Sequence, residues 1–158
     1  MKTASINELK KELDNIEPKE LRDLCLNLVK YKKENKELIT YLLFEAHDTR
    51  SYIENTKQLI DSLFEEINKS NLYFARKSLR KILRVTNKYI KYTGLKQVEV
   101  ELLIYYCQKL KKSGIEFQKS TALSNLYIRQ IQRIKKALST LHEDLQFDYT
   151  DDIKSITN

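Results

Sequence analysis

Apolar residues recur along this chain at the three-to-four-residue spacing of amphipathic helices, from the first turn almost to the last. Ser5-Ile6-Asn7-Glu8 has the form of a capping box and opens a short helix with Ile6, Leu9, Leu13 and Ile16 on one face. Pro18 suits the first turn of a second helix, whose stripe is Leu21, Leu24, Cys25, Leu28 and Tyr31. Asn35 is the expected cap of a third, running through Leu38, Leu42 and Ala46, and Asp48 the cap of a fourth carrying Tyr52, Ile53, Thr56, Leu59, Ile60, Leu63 and Ile67. After a break at 68–71, a fifth helix is expected over about 72–92 and a sixth over about 96–112. Gly94 and Gly114 stand where left-handed C-terminal caps belong. A seventh starts near Ser120 and carries Leu123, Tyr127, Ile131, Ile134, Leu138, Leu141 and Leu145. Beyond Gln146 the pattern fades.

The expected architecture is all-α: a single helical domain over 1–146 and a short acidic tail over 147–158. About seven antiparallel helices would form a stack of helical hairpins or an irregular bundle, with pairing of the HEAT kind as one form of it. No 33-, 34- or 40-residue repeat shares a signature between segments. Composition supports the same class. In 158 residues there are two Gly and one Pro, where average usage gives about eleven and eight. Sandwiches, barrels, Rossmann sheets and P-loops all use glycine in turns or phosphate cradles, so they are disfavoured.

Strings such as Leu28-Val-Lys-Tyr-Lys-Lys-Glu-Asn-Lys-Glu-Leu38, Lys77-Ser-Leu-Arg-Lys-Ile-Leu83 and Leu141-His-Glu-Asp-Leu-Gln-Phe-Asp-Tyr149 resemble a group of uncharacterised all-helical bacterial proteins. The resemblance spans most of the length. It implies a helical fold and carries no activity, cofactor or site residue with it.

Charge changes the picture most. The chain holds 29 Lys and Arg against 22 Asp and Glu, a formal +7. Residues 1–66 are net −3 and residues 99–158 net +1. Residues 67–98 hold nine basic side chains and no acidic one. On a wheel of about 100° per residue, Arg76, Lys77, Arg80, Lys81, Arg84, Lys88 and Lys91 fall within roughly 140° of arc, a face some 23 Å long at ~1.5 Å per residue. Like charges at i,i+4 repel, so three compensators come into question. One is solvent and salt. A second is internal: Glu54, Asp61 and Glu65 of the preceding helix, or Asp148, Asp151 and Asp152 of the tail. The third is an anionic partner, with nucleic acid the obvious class. Arg129, Arg133 and Lys136 make a smaller stripe on the seventh helix, and Tyr73 and Tyr92 flank the larger one where they could stack bases or sit half-buried.

Catalytic and metal chemistry leave no comparable trace. His47 and His142 have no ligand-type residue at i±3 or i±4, and a capping or surface role suits both better than a metal. Cys25 and Cys107 lie in apolar helical patterns and read as small buried hydrophobes. No cofactor, metal or catalytic residue is expected. The longest uncharged stretch, 120–128, is far shorter than the ~20 residues a membrane helix needs. With no secretory pattern at the start of the sequence, the cytoplasm is the expected compartment. The first functional expectation is a non-catalytic interaction or scaffold module with an unidentified protein partner or self-association. The alternative is nucleic-acid binding through the basic face of the fifth helix. A more distant third is an enzyme acting on an anionic substrate.

Overall fold

Local chemistry sets most helix ends in the computed structural model, which describes residues 2–157. Among these residues nine α-helices follow one another: α1 (Ile6–Asp14), α2 (Pro18–Tyr31), α3 (Lys33–Thr40), α4 (Thr49–Glu65), α5 (Leu72–Thr93), α6 (Lys96–Lys112), α7 (Thr121–Leu138), α8 (Glu143–Asp148) and α9 (Thr150–Thr157). Among the described residues there is no strand, and the all-α expectation holds. The capping box is present: Glu8 N–H donates to Ser5 Oγ at 3.3 Å, and Ser5 N–H donates to Glu8 Oε2 at 2.7 Å. Asp48 caps α4 by accepting from Ser51 N–H at 3.0 Å. Gly94 and Gly114 both take positive φ, +65° and +75°, directly after α5 and just past α6. Glycine adopts that conformation at little cost, whereas a side chain there is strained even though the space around both positions is open.

Three sequence expectations need correction. Asn35 does not cap α3, which starts earlier, at Lys33; its amide donates instead to Leu28 O at 2.7 Å, bridging the α2–α3 turn. Beyond Thr40 the chain runs into a π-helical turn, Tyr41–Glu45, in place of continued α-helix. The seventh helix stops at Leu138, and residues 143–157 form α8 and α9 rather than the fading tail. Tyr149, Ile153 and Ile156 explain the last difference. They sit at i, i+4 and i+7, a helical stripe inside an acidic stretch, and all three pack on the core.

The chain forms two compact units, residues 1–44 and 45–158. In the first, α2 and α3 pack against each other, and α1, α2 and α3 bury no side chain. In the second, α6 is the central element, touching α4, α5, α7 and α9. Its apolar residues cover most of the helix circumference, with Val98, Val100, Leu102, Leu103, Ile104, Tyr106, Cys107 and Leu110 all buried, and leave a narrow polar strip through Gln97, Glu101, Gln108 and Lys112. A helix apolar over most of its circumference must be largely enclosed. Neighbours lock onto it with polar groups as well: Tyr106 hydroxyl donates to Leu79 O of α5 at 3.2 Å, while its ring lies 5.7 Å from Phe64 of α4. Tyr127 hydroxyl donates to Ile156 O at 2.6 Å and ties α9 to α7. Burial pushes the Cys107 thiol up to about 12, so it behaves as the small neutral hydrophobe its position suggests. Among the described residues no helix is long and apolar enough to cross a membrane.

Candidate nucleic-acid interface

The site is built on α5. Asn71 caps its start by accepting from Tyr73 N–H at 2.7 Å, and Gly94 ends it, so the helix runs unbroken for 22 residues. One side is fixed by burial of Ala75, Leu79, Ile82, Thr86 and Ile90 against α4 and α6. The 3.6-residue period then turns the basic side outward. Lys77, Arg80, Lys81, Arg84 and Lys91 are exposed, and Arg76 and Lys88 half-buried. Among the described residues, no carboxylate oxygen lies within 4.0 Å of Arg76, Lys77, Arg80, Lys81, Arg84 or Lys91.

The acids weighed as internal neutralisers are turned elsewhere. Glu54 Oε1 accepts from Lys57 Nζ at 2.9 Å, and Lys57 also reaches Glu101 Oε1 at 2.7 Å. Burial pulls the Lys57 ammonium down, but hydrogen bonds to Glu101 and Glu54 outweigh it and hold its pKa above the ordinary value. Asp61 accepts from Tyr105 hydroxyl at 2.7 Å and pairs with Lys109 at 2.8 Å. Burial acts to raise the Asp61 carboxyl; Lys109 and Tyr105 reverse the sign and keep it below the usual carboxylate range. In α9, Asp151 pairs with Lys154 at 3.0 Å and Asp152 accepts from Gln108 at 2.9 Å. Glu65 stays exposed on α4, and Asp148 lines a cleft with Lys57 and Glu101. Glu54 and Asp61 therefore serve the α4–α6 contact, where lysines of both helices meet them.

The smaller stripe divides. Arg129 and Lys136 are exposed on α7, but Arg133 is used within the fold. Its Nε donates to Glu99 Oε1 at 2.6 Å and its Nη1 to Asn87 Oδ1 on α5. Lys96 Nζ reaches the other Glu99 oxygen at 2.7 Å. Burial would raise the Glu99 carboxyl; the bonds from Lys96 and Arg133 overcome that and lower it, so Glu99 stays ionised inside the fold. Asn87 sits at about 20° on the α5 wheel, at the edge of the basic arc next to Arg80 at about 40°. The Asn87–Arg133 contact is thus a seam at which α7 meets that edge, with Arg129 one turn away from Arg133 on one side and Lys136 on the other. Sequence spacing showed the three α7 cations on one face, yet gave no sign that the middle one had a buried acceptor waiting on α6.

Tyr73 is half-exposed at 50% and already engaged with its own helix. Lys77 Nζ lies 4.7 Å and the Arg76 guanidinium 5.6 Å from its ring centroid, and Phe74 meets it edge-on at 5.5 Å. Tyr92 packs edge-to-face on Tyr89 at 5.9 Å, the half-buried alternative. Elsewhere, His142 Nδ1 accepts from Asp144 N–H at 3.4 Å and caps α8, and His47 is exposed. Among the described residues no three His, Cys, Asp or Glu side chains converge as metal ligands would. A cleft of about 440 Å³ lies between α4, α6, α8 and α9, but its Glu101 already accepts from both Lys57 and the Tyr149 hydroxyl. No protein-family model, curated protein or solved structure matches this chain, and of the resemblance seen in its sequence the all-helical fold is what the structure shows.

Proposed function

We propose that the protein is a non-catalytic cytoplasmic helical module whose partner is nucleic acid, bound along the outer face of α5 with Arg129 and Lys136 of α7 at its edge. The observation that carries this reading is the row of Arg76, Lys77, Arg80, Lys81, Arg84 and Lys91, exposed apart from the half-buried Arg76, with no acid among the described residues within salt-bridge distance. Internal neutralisation would draw on the acids of α4 and α9, and there Glu54, Asp61 and Asp151 pair with Lys57, Lys109 and Lys154 instead. The three arginines, Arg76, Arg80 and Arg84, stand one turn apart and present fork-shaped donors suited to phosphate oxygens, while the lysines add point charge. A ~23 Å row matches about seven phosphates of one strand at ~3.4 Å per phosphate. A straight helix touching through one face engages fewer, about four. Contacts of this kind position a backbone and carry little base information, so affinity should depend weakly on sequence.

Fluorescence anisotropy with labelled single- and double-stranded oligonucleotides over a salt series tests the reading. Release of counterions from about four phosphates predicts a slope of log K against log salt near −3 to −4. Binding whose strength ignores salt would remove nucleic acid as the partner of this face.

A further inference from the structure

The first unit, residues 1–44, carries a surface of a different kind. Of the eighteen large apolar side chains exposed among the described residues, twelve belong to it. On α1 the stripe Ile6, Leu9 and Leu13 is 80%, 46% and 39% exposed. Between α2 and α3 runs an apolar groove of about 280 Å³, lined by Cys25, Leu28, Val29, Leu38, Ile39 and Leu42. These helices have nine, fourteen and eight residues. Isolated helices shorter than about 12–15 residues are marginal in water, and most helix stability in proteins comes from packing an apolar face. Twelve such side chains in one 44-residue unit exceed what scattered surface leucines explain, and the α1 stripe and the α2–α3 groove gather part of them into apolar faces.

We infer that this unit is a self-association surface, and that its occupant is a second copy of the same unit packed antiparallel. Charge identifies the partner. Residues 8–23 hold six acidic and four basic side chains, whereas residues 30–36 hold four basic and one acidic. A two-fold interface must be complementary to itself. Antiparallel packing supplies that: the acidic end of each copy lies against the basic turn of the other while the leucine faces meet between them. Nucleic acid does not fit a face that is nearly neutral overall. A lipid surface fits less well too, because membrane-lying helices concentrate Lys and Arg on the polar side, and here both signs alternate along α1 and α2. The inference stands apart from nucleic-acid binding, since it concerns other residues and requires no ligand.

The test is the mass of the full chain in solution, by sedimentation equilibrium across a concentration series without nucleic acid. A concentration-dependent dimer is expected. Leu28→Glu together with Leu42→Glu should raise its dissociation constant by more than about a hundredfold, since each buries a carboxylate in the apolar face. Both positions are exposed in the single chain, so helical circular dichroism should be kept. Lys32→Glu with Lys33→Glu should also weaken the dimer, and adding Glu12→Lys with Asp14→Lys should restore it. A monomer at every concentration overturns the inference, as does a dimer indifferent to the leucine changes or a charge swap without rescue. Pelleting of the monomer with anionic phospholipid vesicles would assign the face to lipid instead.

Discussion

Reversing Arg80 and Arg84 together to Glu is expected to lower nucleic-acid affinity by about a hundredfold or more and leave the protein folded. Each arginine stands at the middle of the row, exposed and with no carboxylate among the described residues within salt-bridge distance. Loss of two charge-assisted contacts at about 1.5 kcal/mol each corresponds to roughly a hundredfold, and two new negative charges against the backbone deepen it. The fold should not suffer. Arg76, Arg80, Arg84 and Lys88 follow one another at i,i+4, an arrangement of like charges that costs a few tenths of a kcal/mol per pair. Reversal turns the outer pairs, with Arg76 and with Lys88, into attractive ones. An unchanged or slightly raised melting temperature beside lost binding is therefore the expected pair of results. Binding kept at its original strength would mean that α5 is not the contact face.

A second large effect is expected in the core. Leu103→Ala on α6 should destabilise the second unit by about 3–4 kcal/mol, because a fully buried leucine leaves both its transfer energy and a cavity behind. Ile128→Ala, on the outer side of α7 at 50% exposure, should stay within about 0.5 kcal/mol, where weak burial is offset by the better helix propensity of alanine. Urea unfolding followed by tyrosine fluorescence is suited to the comparison, since eight of the ten tyrosines lie in residues 45–158. The midpoint should fall sharply for the α6 variant with the slope unchanged. Similar midpoints for the two variants would contradict a structure organised around α6.

Helix ends and the location of charge were legible in the sequence because each depends on short-range chemistry. Glycine after a periodic run, as at Gly94 and Gly114, needs only its own φ to stop a helix. The arc of α5 cations likewise follows from spacing alone, and the structure turns that arc outward. Partner choice was not legible. Whether Glu54 and Asp61 would face α5 or α6 depends on how α4 lies between them, a tertiary matter that periodicity does not encode. Arg133 has the same difficulty: its acceptors, Glu99 and Asn87, are 34 and 46 residues away. The central position of α6 had a signal that was available, apolar residues spread over most of its circumference beside only a narrow polar strip. Alternation at Val98-Glu99-Val100-Glu101-Leu102 partly masks it, since Glu99 is buried through its ion pairs. The helicity of 150–157 was hidden in the same way, by acids surrounding Tyr149, Ile153 and Ile156.

Mapping the bound surface tests the central claim most directly. In amide chemical-shift titrations of the full chain with an unlabelled oligonucleotide, the largest changes are predicted on the outer face of α5 between Tyr73 and Lys91 and near Arg129 and Lys136 of α7. Changes clustered on α4, α8 or α9, or none at saturating oligonucleotide, would contradict it.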